Sequence, residues 1–355
     1  MLAPAALVTA IVVVLGFMMA PGIPAQQSQG AAESSAPDGG RAVVDGSRAP
    51  ARAASATPSP EGAPPVTKRA ELRNARLLLT APRTVLKLKP KPKFRTIPGF
   101  SFTIATFNVL GHSHTVKGGN KSRYASSATR MGWTVASLNG HGIEVVGLQE
   151  FQTPQLHNFN ARTGGSWDVW PGMAAGRDGV ANSVAWRRGT FTAVSKHTIP
   201  IPYFGGRRRP MPYVQLQHNE TGRRIWVANF HNPTSNKNHG NNYRWRRVAT
   251  SLQIGLANRL GADGTPVFFT GDFNERAEFF CPFTMNTGLK AANGGSTGSP
   301  CQPPGSMQVD WVFGSDAVAF SNYRVDRSAH IQRTTDHPLV AAEASVSGYR
   351  ERIRR

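Results

Sequence analysis

Asp272 and Asn274 stand two residues apart in VFFTGDFN, residues 267–274, where an apolar run stops on Thr-Gly-Asp-Phe-Asn. In a strand, residues i and i+2 point to the same side. This spacing therefore aims a carboxylate and an amide at one spot, which suits a hard metal ion or a phosphate. Gly, Asp and Asn are also common turn residues, so the segment alone does not separate a site from a turn. Similar endings recur along the chain. Asn108 lies near the end of FTIATFNVL (102–110), and Glu150 closes IEVVGLQE (143–150). His231 ends an apolar run, Asp310 sits in MQVDWVFGS (307–315), and Asp336-His337 precede the last strand, which ends at Val346. Neighbouring strands lie about 5 Å apart. Carboxylates crowded at that spacing are costly unless they bind a cation or pair with histidine. The collective pattern predicts a site.

The elements that must hold these residues follow from hydrophobic periodicity. Alternating or apolar runs predict strands over 102–110, 143–150, 267–274, 307–315 and 334–346. The segment 179–194 reads as a strand pair, and 212–232 as a hairpin around Asn219-Glu220-Thr221-Gly222. Helical patterns cover 123–139 and 241–260, and no internal repeat is evident. Many strands with a few interspersed helices predict an α/β or α+β sandwich.

Composition bounds the rest. The 355 residues carry a net charge of +21. Residues 1–100 contribute +8, 101–345 contribute +10 and 346–355 contribute +3. Both the tails and the domain are basic, which predicts a polyanionic partner, unless the arginines only aid solubility. Residues 5–20 form an uncharged apolar stretch, so 1–25 is expected to be a signal peptide or a membrane anchor, with the protein secreted or facing outside. Residues 26–100 read as an Ala/Pro/Ser-rich and basic linker. Within it, VLKLKPKPKFR (85–95) could tether the protein to an anionic cell-surface polymer or lipid, or serve as plain linker. The domain is expected over 101–346, with a basic tail at 347–355. Cys281 and Cys301 are the only cysteines. In an exported protein they are expected to form a disulfide, worth about 3 kcal/mol for a loop of about 20 residues.

The ordered set TFNVL, GLQE, NFHNP, GDFN, VDWVF and TDHP resembles the endonuclease/exonuclease/phosphatase superfamily, the deoxyribonuclease I-like fold, over about 102–346. GDFN followed by TDHP is the specific part of the match. The resemblance implies a four-layer sandwich of two packed mixed β-sheets flanked by helices. It also implies metal-dependent phosphoester hydrolysis with Mg²⁺ or Mn²⁺. By the same resemblance, Glu150 is the main metal ligand, assisted by Asn108 and Asp336. Asp272 and Asn274 orient the attacking water and a phosphate oxygen. His337, paired with Asp310, contacts the scissile phosphate, and His231 is a second phosphate contact or proton donor. Which group is the base stays open. Asn182 is a candidate substrate contact. Arg244 and Arg247 either bind phosphate or core acids, or are helix-surface charge. His112 and His114 either touch substrate or a second metal, or lie in a surface loop. A glutamate partner for His231, present in some nucleases of the family, is not identifiable.

The leading expectation is an exported, monomeric nuclease acting on DNA or RNA. FGGRRRPMP (204–212) is a candidate phosphate-contacting loop. The alternatives are a phospholipid, sphingomyelin or inositol-phosphate phosphoesterase of the same fold, and a catalytically inactive polyanion-binding surface protein.

Overall fold

A computed structural model describes residues 93–353. The expected signal or anchor, and nearly all of the linker, lie outside the described residues. Within them, no helix is long and apolar enough to cross a membrane. The strands, in chain order, are β1 (Phe94–Ile97), β2 (Phe100–Asn108), β3 (Val145–Gln149), β4 (Trp167–Trp170), β5 (Asn182–Arg187), β6 (Phe191–Pro202) and β7 (Arg208–His218). They continue with β8 (Arg224–His231), β9 (Val267–Asp272), β10 (Lys290–Ala291), β11 (Asp310–Gly314), β12 (Val318–Asp326), β13 (Leu339–Val346) and β14 (Tyr349–Arg352).

Two six-stranded mixed sheets result, in the orders β12-β13-β2-β3-β5-β4 and β10-β11-β9-β8-β7-β6. Each has one parallel pair at its centre, β2 with β3 and β8 with β9. Three apolar clusters define the layers. Phe102, Ile104, Val145 and Trp186 of one sheet meet Val214, Val227, Phe268 and Val312 of the other, forming the core between the sheets. Met131 and Leu138 of the helix Ser127–Gly140 join Leu156 and Phe159 of the helix Thr153–Thr163 on the outer face of the first sheet. Leu256 and Leu260 of the helix Tyr243–Gly261 join Phe279 and Phe283 of the helix Ala277–Thr287 on the outer face of the second. The architecture is the expected four-layer sandwich. β3 and β9 are buried at every position because both of their faces are covered, which explains their unbroken apolar reading.

The close approach of the sheets beneath the strand ends has a local cause. A Cβ on Gly147 would collide with Thr270 Oγ1 and Asn229 Oδ1 of the opposite sheet. Without that Cβ, buried Asn229 donates to the Leu148 and Ser183 carbonyls (2.9 and 3.0 Å) and accepts from Gln149 Nε2 at 2.6 Å. Polar groups buried between two sheets are costly unless so paired. Here the pairing locks β3 against β8 just below Glu150.

Two features depart from the sequence reading. The segment 179–194 supplies two strands, but β5 pairs with β3 and β4, whereas β6 pairs with β7 in the other sheet. Alternation reports which face a residue takes, not which strand it pairs with. In addition, β1 and β14 pair with each other, Phe94 opposite Arg352, and Arg95 Nε donates to Glu351 at 2.7 Å. Paired structure thus continues on both sides of 101–346. Because β2 and β13 are neighbours, the chain before one and after the other leave side by side. Cys281 and Cys301 are joined by a disulfide, with Cα atoms 5.8 Å apart.

Candidate active site

Strand direction assembles the site. The parallel pairs bring the C-terminal ends of β2 and β3, and of β8 and β9, to one edge. His231 lies directly opposite Asp272 there. β11 is antiparallel to β9, so its first residue, Asp310, is the register partner of Asp272. β13 is antiparallel to β2, so the turn before it delivers Asp336 and His337 to the same edge. Asn108 ties the sheets together by donating through Nδ2 to Glu150 Oε1 and to Asp272 Oδ2, each at 3.2 Å.

Asp272 is the hub. Its Oδ1 accepts from the Asn274 backbone N–H at 3.0 Å. Its Oδ2 lies 3.4 Å from His231 Nε2 and 3.7 Å from His337 Nε2. His337 Nδ1 lies 3.0 Å from Asp310 Oδ2 and 3.1 Å from Oδ1. The Asn274 side chain donates to the Asn232 carbonyl at 2.8 Å, so it braces the turn while its N–H holds the carboxylate. Three residues around this edge have left-handed backbone, Leu110 (φ 51°), Glu150 (φ 57°) and Asn274 (φ 54°). Such conformations cost a non-glycine residue about 1–3 kcal/mol and concentrate at functional sites. At Glu150 the conformation bends the chain where β3 stops. The carboxylate then receives the Gly111 N–H at 2.8 Å and approaches His114 Nε2 at 3.3 Å.

Charge is distributed unevenly. Burial pushes Asp272 above the usual carboxylate range and outweighs the pull of His337 and His231. Burial also lowers His231, against the attraction of Asp272 and Glu150. For His337 burial again opposes charge, but Asp310 and Asp272 raise it well above its ordinary value. Burial would raise Glu150, yet the His114 hydrogen bond, the His231 charge and the Gly111 N–H together hold it well below the usual range. The edge thus pairs a carboxylate held low, Glu150, with an imidazole held high, His337, and sets a histidine lowered by burial, His231, beside a carboxylate of raised basicity, Asp272.

Asn108, Glu150, His231, Asp272, Asp310 and His337 come together at this edge, whereas Asn274 lies beyond the end of β9 and turns its side chain to the Asn232 carbonyl rather than alongside Asp272 as the strand spacing predicted. Asp336 is at the rim, exposed, with Lys121 Nζ at 3.0 Å from its Oδ2. Asn182 is fully buried as the register partner of Gln149, beside the strand end that carries Glu150, and neither of its amide atoms has a protein partner. Arg244 and Arg247 are not brought to the site. They lie on the exposed side of their helix, with guanidinium groups over Trp245 and Tyr243. Arg246, which the sequence reading passed over, turns inward and pairs with buried Glu275 at 2.6 Å. The 3.6-residue period puts 246, 249, 250 and 253 on the buried face, and 244 and 247 off it. His112 is held by Ser127 Oγ at 2.7 Å.

Sequence reasoning also missed Tyr203 and Arg209. Tyr203 packs edge-on against His231, with ring centroids 5.5 Å apart. The Arg209 guanidinium lies 3.8 Å from the Tyr203 ring centroid, and its Nε is buried without a partner. Arg209 lies in the arginine-rich segment 204–212 expected as a loop, but the structure extends β7 through it from Arg208, so the signal was the charge run. That run did not say which of its three arginines turns inward.

Two positions could take a cation. Asp272, Asp310 and His337 offer donor atoms within 4.8 Å of one another. His337 already neutralises that group by pairing with Asp310, and a protonated imidazole repels a cation. Glu150 supplies the hard carboxylate oxygens that Mg²⁺ or Mn²⁺ prefers, whereas Asn108 turns Nδ2 toward it and engages Oδ1 with the Leu110 N–H, so Asn108 would offer an oxygen there only with its amide turned over. The crowding of Asn108 and Asp272 beside Glu150, with the buried Asn182 amide unpartnered next to Gln149, fits a cation held at this strand end.

The family model described as the Endonuclease/Exonuclease/phosphatase family matches residues 105–337. No curated protein matches the chain. Among solved structures, an endonuclease/exonuclease/phosphatase family protein from Bacteroides thetaiotaomicron is similar at 18% identity and TM-score 0.54, covering 70% of this chain and 99% of that one. The mannosyl-6-phosphatase of Bacteroides thetaiotaomicron VPI-5482 is similar at 17% identity and TM-score 0.53, covering 68% and 99%. A 2′,3′-cyclic phosphatase in complex with adenosine-2′,3′-vanadate is similar at 13% identity and TM-score 0.51, covering 72% and 99%.

Proposed function

The chain belongs to the endonuclease/exonuclease/phosphatase family, and on that premise we propose that it is a divalent-metal-dependent phosphodiesterase acting on DNA or RNA. The observation that carries this reading is the convergence on Asp272 of two histidines and the Asn108–Glu150 pair. A phosphodiester is anionic and repels a hydroxide nucleophile, so its hydrolysis needs positive charge at the phosphate and a base at the water.

Each part has a residue. Asp310 orients His337 through Nδ1 and keeps it protonated, leaving Nε2–H to donate to a phosphate oxygen. His231 presents Nε2 from the other side of Asp272. Asp272, more basic than an ordinary carboxylate, positions and deprotonates water through Oδ2 while the Asn274 N–H fixes Oδ1. Glu150, with Asn108 once its amide turns over and Asp336 at the rim, would hold Mg²⁺ or Mn²⁺. When bound, that ion would neutralise charge on the phosphate oxygens.

The overall charge of +21 supports a polyanionic substrate, as does the adenosine-2′,3′-vanadate bound by one structural relative. A sugar or inositol phosphate is the second reading, favoured by the mannosyl-6-phosphatase relative. Export, as a secreted or outward-facing anchored protein, fits the apolar segment at 5–20 and the disulfide. The basic stretch 85–95 would then add affinity for an anionic wall polymer or lipid. The test is a panel of plasmid DNA, RNA, sphingomyelin, inositol phosphates and a mannose 6-phosphate ester with Mg²⁺, Mn²⁺ or EDTA. Metal-dependent cleavage of a nucleic acid is expected. Turnover of only the phosphomonoesters or of sphingomyelin would replace this reading.

A further inference from the structure

An open cleft of about 700 Å³ adjoins the catalytic edge, sharing Asp336 and His337 with it, and is lined also by Arg123, Arg327 and Arg333. That is ample for a nucleotide, since small-ligand sites span about 300–1,000 Å³. Among the described residues, none of these arginines makes an ion pair with a carboxylate. Arg327 bonds Gln308, Arg333 bonds His330 Nδ1 at 2.9 Å, and Arg123 lies over the Tyr124 ring at 5.5 Å. The one carboxylate in the wall, Asp336, is tied to Lys121. Three exposed guanidinium groups without a carboxylate partner line this one cleft, and together they favour an anion in it.

The aromatic content narrows the anion. Half-buried Trp133 and Tyr124 also line the cleft, and the Arg333 guanidinium lies 4.9 Å from the Trp133 ring centroid. Flat aromatic and guanidinium surfaces beside phosphate-binding cations are how proteins hold single-stranded nucleotides. A lipid tail would need exposed apolar side chains. Yet none of the large apolar residues exposed among the described residues lines this cleft.

We propose that this cleft is a subsite for the nucleotide next to the scissile bond, in which Arg123, Arg327 and Arg333 hold its phosphate and Trp133 or Tyr124 stacks on its base. The proposal rests on the phosphodiesterase reading and deepens it, because it makes a polynucleotide, rather than an isolated phosphate ester, the fitted substrate.

The test compares the wild type with Arg123→Ala/Arg327→Ala/Arg333→Ala on a ten-nucleotide oligomer and on bis(p-nitrophenyl) phosphate. The ratio of kcat/KM for oligomer to small diester should fall at least about tenfold, mainly through KM. Oligomer binding, followed by fluorescence anisotropy in EDTA, should lose salt dependence. Each single-strand phosphate neutralised contributes about 0.7 to the log–log slope, so losing this one should flatten the slope by about 0.7. The triple lysine variant should restore most of that slope, and circular dichroism should confirm that each variant folds. An unchanged ratio and slope, or an equal loss on both substrates, would overturn the subsite. A wild type that binds the oligomer but cleaves neither substrate would sink the phosphodiesterase reading instead, while the salt slope would still decide the cleft.

Discussion

Asp272 and Asp310 are register partners on adjacent antiparallel strands, both almost fully buried, and His337 lies within reach of both carboxylates. Two buried carboxylates at that spacing cannot both stay ionised without a cation between them. The imidazolium of His337 supplies it. Asp272→Asn should keep the fold, because it removes a crowded buried charge, and should lower turnover by at least about a hundredfold. Steady-state kinetics and a melting curve in EDTA check both parts. Near-normal activity with an early melt would make Asp272 a turn residue.

Asp310→Asn should lower the His337 pKa, since Asp310 is the largest of the three charges raising it, ahead of Asp272 and Asp336. The imidazole would lose both its proton and its fixed orientation, and kcat should fall by about 10²–10⁴-fold. NMR titration of the His337 ring in wild type and variant reads the shift directly. An unmoved titration would dissolve the dyad.

His114 is pushed up to about 9, mainly by its hydrogen bond to Glu150, with burial opposing. A raised histidine stabilises fully below its unfolded value of about 6.5. That contribution is lost as pH rises through about 9. In EDTA, the His114 resonance should titrate far above neutrality, and Glu150→Gln should return it toward the ordinary range. If Glu150→Gln leaves the midpoint in place, the contact is not what sets it.

Arg246 and Glu275 form a nearly buried pair at 2.6 Å. Glu275→Ala would leave a guanidinium uncompensated in the interior and should cost about 3–5 kcal/mol. Arg244→Ala, on the exposed side of the same helix, should stay within about 0.5 kcal/mol. Urea denaturation of the two variants should separate them clearly, and equal midpoints would contradict the assignment of faces.

Cys301→Ser opens the 20-residue loop that begins at Cys281. A loss of about 3 kcal/mol is expected, or roughly 6–12 °C in Tm for a domain of this size. Reducing agent should lower the wild type to the variant's Tm and leave the variant unchanged.

The sequence by itself determined most of the strands and, through its resemblance to the family, implied the layers and the residues of the site. Apolar alternation marked the strands, and the endings at Asn108, Glu150, His231 and Asp272 marked one edge, because a side chain's face is written in a period of two. Helix period could have separated Arg246 from Arg244 and Arg247, and the charge run 207–209 flagged Arg209 without choosing it. Only the tertiary structure decided which strands are neighbours. That choice sends β5 and β6 to different sheets, pairs β1 with β14 across 256 residues, and sets Asp310 against Asp272. It also lays Arg123, Arg327 and Arg333 along one cleft from segments about two hundred residues apart. Strand partners and cleft walls are fixed by long-range packing of the two sheets, and no local periodicity records them.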